Sequence, residues 1–312
     1  MDFKETLARE PVILTEGAVI ERLKRETGVA LDPLTLNTGL IYDPTGRRLM
    51  GDLYADYMKI GATSGLPMMT LTPTWRANPD RLAKAGLAHT ARVNADAVNF
   101  LLGIRNAEAL RHASIFTGGL MACQGDAYRP QEALSADSAR TFHAPQAEAL
   151  AAAGVDFLMA ATLPAAGEAL GLARAMAATG VAYIISFVLG ADGALLDGSP
   201  LAEAIRRIDN GASPAPVGYM ANCVHPAAFA AGLVAVHSVD PSATRRIMGL
   251  QANTSALPPD QLNDRKELDT MAPEAFAAAM ADLHRRYRVK ILGGCCGTDH
   301  AHIEALARSL AP

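Results

Sequence analysis

The stretch Val289-Lys290-Ile291-Leu292-Gly293-Gly294-Cys295-Cys296-Gly297-Thr298 decides how the rest of the chain is read. Its apolar opening has the length and composition of a short buried strand. Two glycines end that strand, where the backbone can bend sharply and leave the two thiols unobstructed. Adjacent cysteines fit poorly into a strain-free mutual disulfide, but as thiolates they suit a soft metal such as zinc. A third thiol is available in Tyr219-Met220-Ala221-Asn222-Cys223-Val224-His225-Pro226, where another apolar run gives way to a helix start. Three thiols at two strand ends, with no obvious fourth protein ligand, describe a metal site with an open position. Catalytic sites keep such a position, and structural sites close it. The same residues also read as ordinary buried cysteines, since free cysteine is among the most buried residue types.

Outward from this stretch, apolar runs of strand length alternate with Ala-rich segments of helix length, the pattern of βα units and a parallel sheet. The runs are Pro11 to Leu14, Leu66 to Leu71, Ala113 to Phe116, Val155 to Ala160, Tyr183 to Val188, Val217 to Met220, Ile247 to Leu250 and Val289 to Leu292. Between them, Ser135 to Ala153 predicts a helix capped by Gly154, Leu163-Pro164 marks a helix start with Gly180 at its end, and Pro226 and Pro273 open two more. Leu31 to Arg48 reads as irregular, with turns at Asp32-Pro33 and Asp43-Pro44-Thr45-Gly46, and so does Asn253 to Asp264. Eight βα units in this order predict an α/β fold, a single (β/α)8 TIM barrel over residues 1–312. Active sites of such barrels lie at the C-terminal strand ends. Cys223, Cys295 and Cys296 fall there, and so do Glu16, Thr72, Gly118 and Thr162.

The bulk properties narrow the partners. Half of the 312 residues are hydrophobic and the formal net charge is −4. Without a basic tract, neither nucleic acid nor an anionic membrane is an expected partner. Met1-Asp2-Phe3-Lys4-Glu5 is charged where a signal peptide would be apolar, and no apolar run approaches a membrane span. Four cysteines, two of them adjacent, do not make a secreted disulfide framework. The expectation is a cytoplasmic enzyme of small molecules, its oligomeric state open, a homo-oligomer included.

The chain resembles the homocysteine S-methyltransferase family, the zinc barrel shared with betaine–homocysteine methyltransferase and the homocysteine domain of cobalamin-dependent methionine synthase. The resemblance runs over nearly the full length and is strongest in Ile291-Leu292-Gly293-Gly294-Cys295-Cys296-Gly297-Thr298 with His302-Ile303. Asn222-Cys223, Phe142-His143-Ala144-Pro145-Gln146 leading to Asp156, and Asp197-Gly198-Ser199-Pro200-Leu201 add to it. It implies that Cys223, Cys295 and Cys296 bind Zn2+ and that a homocysteine thiol takes the fourth position, giving methionine. Cation coordination would stabilise the acceptor as its nucleophilic thiolate. Three departures stand out. Glu16-Gly17 replaces the family's Asp-Gly. Ala161-Thr162 replaces its Glu-Thr, removing the carboxylate that holds the homocysteine amine. Gln251-Ala252-Asn253-Thr254-Ser255 lacks the family's tyrosine–asparagine–glycine pattern.

Substrate contacts are expected from Glu16, Gly17, Thr162 and Trp75. Glu16 could meet a substrate ammonium, although an acid at a helix start also complements the helix dipole. Trp75, the one tryptophan, offers a face to a cationic donor by cation–π attraction or simply packs at the barrel rim. His225 reads as a helix start, His143 as a structural histidine and Cys123 as a structural thiol, while Asp299, His300 and His302 are expected to face solvent. The donor is a small molecule such as S-methylmethionine, S-adenosylmethionine or a betaine. Competing readings are methylation of a different thiol lacking the amine contact, a zinc-barrel hydrolase, and a non-catalytic barrel binding metal for storage or redox sensing.

Overall fold

The computed structural model describes residues 1–87, 89–190, 192–255 and 270–311. Eight parallel strands close into a barrel in sequence order: β1 (Ile13–Thr15), β2 (Met68–Leu71), β3 (Ile115–Met121), β4 (Phe157–Leu163), β5 (Tyr183–Phe187), β6 (Gly218–Val224), β7 (Ile247–Ala252) and β8 (Ile291–Gly294). Closure is made by β1, which pairs Leu14 with Met68 of β2 on one side and Ile13 with Ile291 of β8 on the other. The predicted barrel and its eight strands are therefore present. Several strands continue past the glycines and polar residues at which the sequence suggested an end.

Alternation of side chains explains why these runs are apolar on both faces. In β4, Phe157, Met159 and Ala161 point into the barrel, while Leu158, Ala160 and Leu163 join the layer between strands and helices. The same split puts Ile13 inside and Leu14 outside in β1, and Ile291 inside and Leu292 outside in β8. Helix α1 (Phe3–Arg9), held by a capping box between Asp2 and Glu5, closes the N-terminal end of the barrel. Its Phe3 stacks on Phe157 at 4.4 Å and meets Phe116 edge-on at 5.6 Å.

The other helices form the outer layer. After β1, α2 (Ile20–Arg22) runs into a π-helical turn, Leu23–Thr27. There follow α3 (Pro44–Ser64), α4 (Pro79–Lys84), α5 (Thr90–Arg105), α6 (Ala136–Ala152), α7 (Ala166–Ala177), α8 (Leu201–Gly211), α9 (Pro226–Val239), α10 (Pro241–Arg246), α11 (Pro273–Tyr287) and α12 (His300–Leu310). The expected caps are in place, with Ser135 opening α6 and Gly154 and Gly180 left-handed beyond α6 and α7. The segment read as irregular from Leu31 to Arg48 is only partly so. Asp43-Pro44-Thr45-Gly46 is no turn but the start of α3: Asp43 accepts from the Gly46 N–H, and Pro44 stands at the first helical position, where a missing N–H costs nothing. The expected loop from Asn253 to Asp264 lies outside the described residues from 256 onward. Among the described residues no helix is long and apolar enough to cross a membrane.

Candidate active site

The C-terminal mouth of the barrel opens into a cavity of about 510 Å³ bordered by residues from every strand's end except that of β5, the three cysteines among them. Cys223 is the penultimate residue of β6, and Cys295 and Cys296 follow directly on β8. Their sulfur atoms all lie within 4.8 Å of one another. The Cys223 and Cys296 sulfurs are 3.9 Å apart, and Cys223 and Cys295, with Cα atoms separated by 5.5 Å, are in disulfide contact. Cys296 is open to the cavity yet crowded by protein atoms. That desolvation, with Glu21's charge second, pushes its thiol up to about 11.

The loop that carries Cys295 and Cys296 is held from two sides. The Cys295 N–H donates to the Ala252 carbonyl at 2.7 Å, and the Thr254 N–H donates to the Cys296 carbonyl at 3.2 Å, both from the end of β7. From the side of β1, the Gly297 N–H donates to Glu21 at 2.6 Å. Thr298 donates its hydroxyl to the Cys295 carbonyl at 2.7 Å and accepts from the Ala18 N–H at 3.1 Å. Glycine is required where this loop crosses β1: a Cβ on Gly293 would sit 2.6 Å from the Thr15 carbonyl oxygen, and one on Gly17 would sit 2.8 Å from the Tyr57 hydroxyl. Gly17 thus borders the cavity because a close approach demands it.

Cys223 is fixed differently. Its φ is 55°, and Thr162 on β4 has φ 59°, a left-handed conformation that is an outlier for a β-branched residue. The Asn222 side chain joins the two positions. Its Oδ1 accepts from the Thr162 N–H at 2.8 Å and from the Ser186 hydroxyl at 2.7 Å, and its Nδ2 donates to the Thr162 hydroxyl at 2.6 Å. The pairing register shifts at both places, between Ala160 and Leu163 and between Asn222 and Val224. Such strain clusters at functional sites, where surrounding structure over-determines it.

The remaining expected residues also reach the cavity. Glu16 is 5% exposed, accepts from the Leu71 N–H at 2.8 Å, and is pushed well above the usual carboxylate range by burial. Its carboxyl is therefore tied to the wall. Trp75 is half-buried on the rim, with the Arg76 guanidinium 4.7 Å from its ring centre, so a donor cation has only the opposite face. Ala161, 4% exposed, presents a methyl where a carboxylate was expected to be missing. Tyr128, which the sequence did not single out, stands at the cavity edge. Burial, and then the Cys296 sulfur beside it, raise its phenol above its ordinary value. It sits in a polar loop without periodicity, so no sequence signal marks it.

Away from the thiols the secondary candidates are structural. His225 caps α9 through Nδ1, which accepts from the Ala227 N–H at 3.2 Å. His143 is fully buried, its Nε2 2.9 Å from Glu168. Cys123 is buried and its thiol is pushed up to about 12 by desolvation. Asp299 caps α12, but His302 does not face solvent as expected. It is 4% exposed, with its ring nitrogens against Asp299 and the Met271 carbonyl, because a helix start leaves its third residue turned back towards the cap.

Against known proteins, the model of the homocysteine S-methyltransferase family matches residues 13–310. The chain belongs to that family. A homocysteine S-methyltransferase of Escherichia coli (strain K12) is 26% identical over 324 residues, covering 97% of each chain. The solved homocysteine methyltransferase MmuM from Escherichia coli is similar in fold. Its metallated form gives a TM-score of 0.77 at 22% identity with 98% of each chain covered, and its apo form gives 0.69 at 21% with 97% covered. This family member is thus a methyltransferase, and its three cysteines form a group that could hold a metal ion. The donor set fits one. Three thiols are the soft donors that such a metal takes, and their sulfur atoms converge within 4.8 Å of one another.

Proposed function

We propose that this cytoplasmic enzyme moves a methyl group from a small-molecule onium donor to the sulfur of homocysteine, giving methionine, with zinc held by Cys223, Cys295 and Cys296. The observation that carries this reading is the meeting of three sulfurs from two strand ends at one side of a large cavity. Soft thiolate donors without histidine or carboxylate favour zinc over the harder cations. Bound zinc would supply a positive charge that holds the acceptor as thiolate at neutral pH.

The chain's own residues supply position. Asn222 locks the backbone of Cys223, and Thr298 and Glu21 lock the loop of Cys295 and Cys296, so the residues that would hold the metal are fixed before it binds. The cavity is lined by Leu36, Leu71, Trp75, Leu120 and Tyr128 as well. These apolar and aromatic walls suit a methylated cation, whose charge is attracted to ring faces. In the transfer a sulfur–carbon bond forms while the donor's carbon–sulfur or carbon–nitrogen bond breaks. The bonding pair leaves with the donor, and the acceptor's thiol proton passes to solvent. Tyr128 and Trp75 serve as the donor's wall, and Glu16 and Gly17 shape the floor beneath the acceptor.

Cys295→Ser tests the reading. The variant is expected to retain the barrel's circular dichroism and to lose bound metal and methyl transfer together, with activity falling at least a hundredfold. A Cys295→Ser protein that keeps full activity, or a reduced wild type that works equally well after exhaustive chelation, would overturn it.

A further inference from the structure

Resting on that reading, we infer that Glu168, which lies outside the cavity, is a positioning residue of the donor site. Together with Arg81 it clasps the neck of the loop that carries Tyr128, and so sets the donor's wall. Residues 122–134 join β3 to the cap of α6 with no regular structure beyond one 3-10 turn, Pro130–Glu132. The loop is braced within itself. The Tyr128 N–H donates to the Asp126 carboxylate at 2.8 Å, the Asp126 N–H donates to Glu132 at 2.9 Å, and the Arg129 N–H donates to the Asp126 carbonyl at 3.1 Å. Its two limbs touch at Gly125, where a Cβ would sit 2.7 Å from the Glu132 Cβ. Between Gln124 and Leu134 only Ala127 is buried. A braced body with one buried methyl takes its place on the barrel mainly from its attachment.

That attachment is built from ionisable side chains. Glu168 on α7 is fully buried, and no lysine or arginine among the described residues pairs with it. Its Oε1 accepts from the Gln124 N–H at 2.7 Å and its Oε2 from the Leu134 N–H at 3.3 Å, so one side chain holds both ends of the loop. Oε1 also meets His143 Nε2 at 2.9 Å, and the Nδ1 of that ring is buried without a partner. From the other side, Arg81 on α4 donates to the carbonyls of Gln124 at 3.1 Å and Gly125 at 3.3 Å. It donates as well to the Leu34 carbonyl at 3.4 Å, in the segment that brings Leu36 and Asn37 to the same cavity. Arg81 too forms no ion pair with a described residue, and its Nε is buried without a partner. Burying such groups costs free energy that apolar packing would not. Directional bonds to four main-chain groups at the neck instead fix where the loop stands, and what they place is Tyr128, on the cavity that Cys296 also borders.

Glu168→Gln keeps the size of the side chain and removes one acceptor at the neck, since an amide nitrogen cannot receive an N–H. The assay uses the full chain with homocysteine as acceptor. The donor is whichever of S-methylmethionine, S-adenosylmethionine and trimethylglycine the wild type turns over. In Glu168→Gln the donor's KM is expected to rise about tenfold, with kcat within about threefold and the acceptor's KM and the zinc content unchanged. Tyr128→Ala should raise the donor's KM by a similar factor. Adding Glu168→Gln to it should then change that KM by less than about twofold, because both substitutions act through one contact. Chymotryptic cleavage after Tyr128 without substrates reports the loop independently of turnover, and should quicken about tenfold in Glu168→Gln. Arg81→Lys, which keeps the charge but not the fork of donors, carries the same test where Glu168→Gln does not fold. Additive effects of the two substitutions, a donor KM left unchanged, or donor and acceptor KM values rising together each overturn the inference while methyl transfer stands. If no donor methylates homocysteine, the proposed function fails instead, and the rate of cleavage after Tyr128 alone upholds or overturns the clasp.

Discussion

Asn222 has its side-chain oxygen and nitrogen committed to Thr162 and Ser186, and it precedes a metal-ligand candidate whose backbone is left-handed. Removing that side chain would leave the Thr162 N–H without its partner in a buried place, at a cost of about 1–3 kcal/mol. More telling is the effect on Cys223, because groups that orient ligands are worth roughly ten- to a hundredfold in metal affinity. Asn222→Ala is therefore expected to weaken zinc binding by that factor in a chelator competition while the protein stays folded. Unchanged affinity with only a lowered Tm would confine Asn222 to stability. The cysteines themselves were legible in the sequence, since adjacent thiols after Gly-Gly are chemically conspicuous. Asn222 appeared there only as a neighbour of Cys223, for its role depends on Thr162, 60 positions away. Tyr128 was not legible at all: it is an ordinary surface type until folding sets it on the cavity.

The strands show a similar division. Their apolar starts were read to within two residues, whereas β3, β4 and β6 run on through Met121, Leu163 and Val224. Glycines and polar residues read as strand ends, but in a closed barrel the C-terminal halves of strands line the site and carry polar types for that reason. Glycines within them accept neighbouring bulk, as Gly118 does from Phe157. At the opposite end α1 was not read from the sequence, being short and charged, with one buried aromatic. Phe3 is 3% exposed and stacked on Phe157, so it plugs the barrel floor. Phe3→Ala should cost about 3–5 kcal/mol, read as a lowered urea midpoint. Because the floor lies at the other end of the barrel from the cysteines, KM values at temperatures where the variant is folded should change little. A large KM change at full folding would show that the floor and the mouth are coupled.

For the molecule as a whole, the barrel makes the thiol site an addition to a scaffold that does not need it. The apolar interior and the helix layer are complete beneath the rim, and the cysteines stand on the rim. The fold was readable because eight buried strands repeat one local pattern, whereas the oxidation state of the site depends on solution conditions and is written nowhere in the sequence. Cys223 and Cys295 can close on each other as a disulfide, and that removes two of three ligands at once. Metal loading should therefore require reductant: one zinc per chain after reduction, and none after oxidation followed by chelation. A ligand that binds only the folded state stabilises it by about 2.7 kcal/mol when present at a hundred times its Kd. Zinc added to reduced protein should consequently raise the Tm, by roughly 4 °C for a chain of this size. The same addition to oxidised protein, or to Cys295→Ser, should leave the Tm where it was. Equal stabilisation of the oxidised protein would mean that the metal sits elsewhere, and the assignment of Cys223, Cys295 and Cys296 as its ligands would fall.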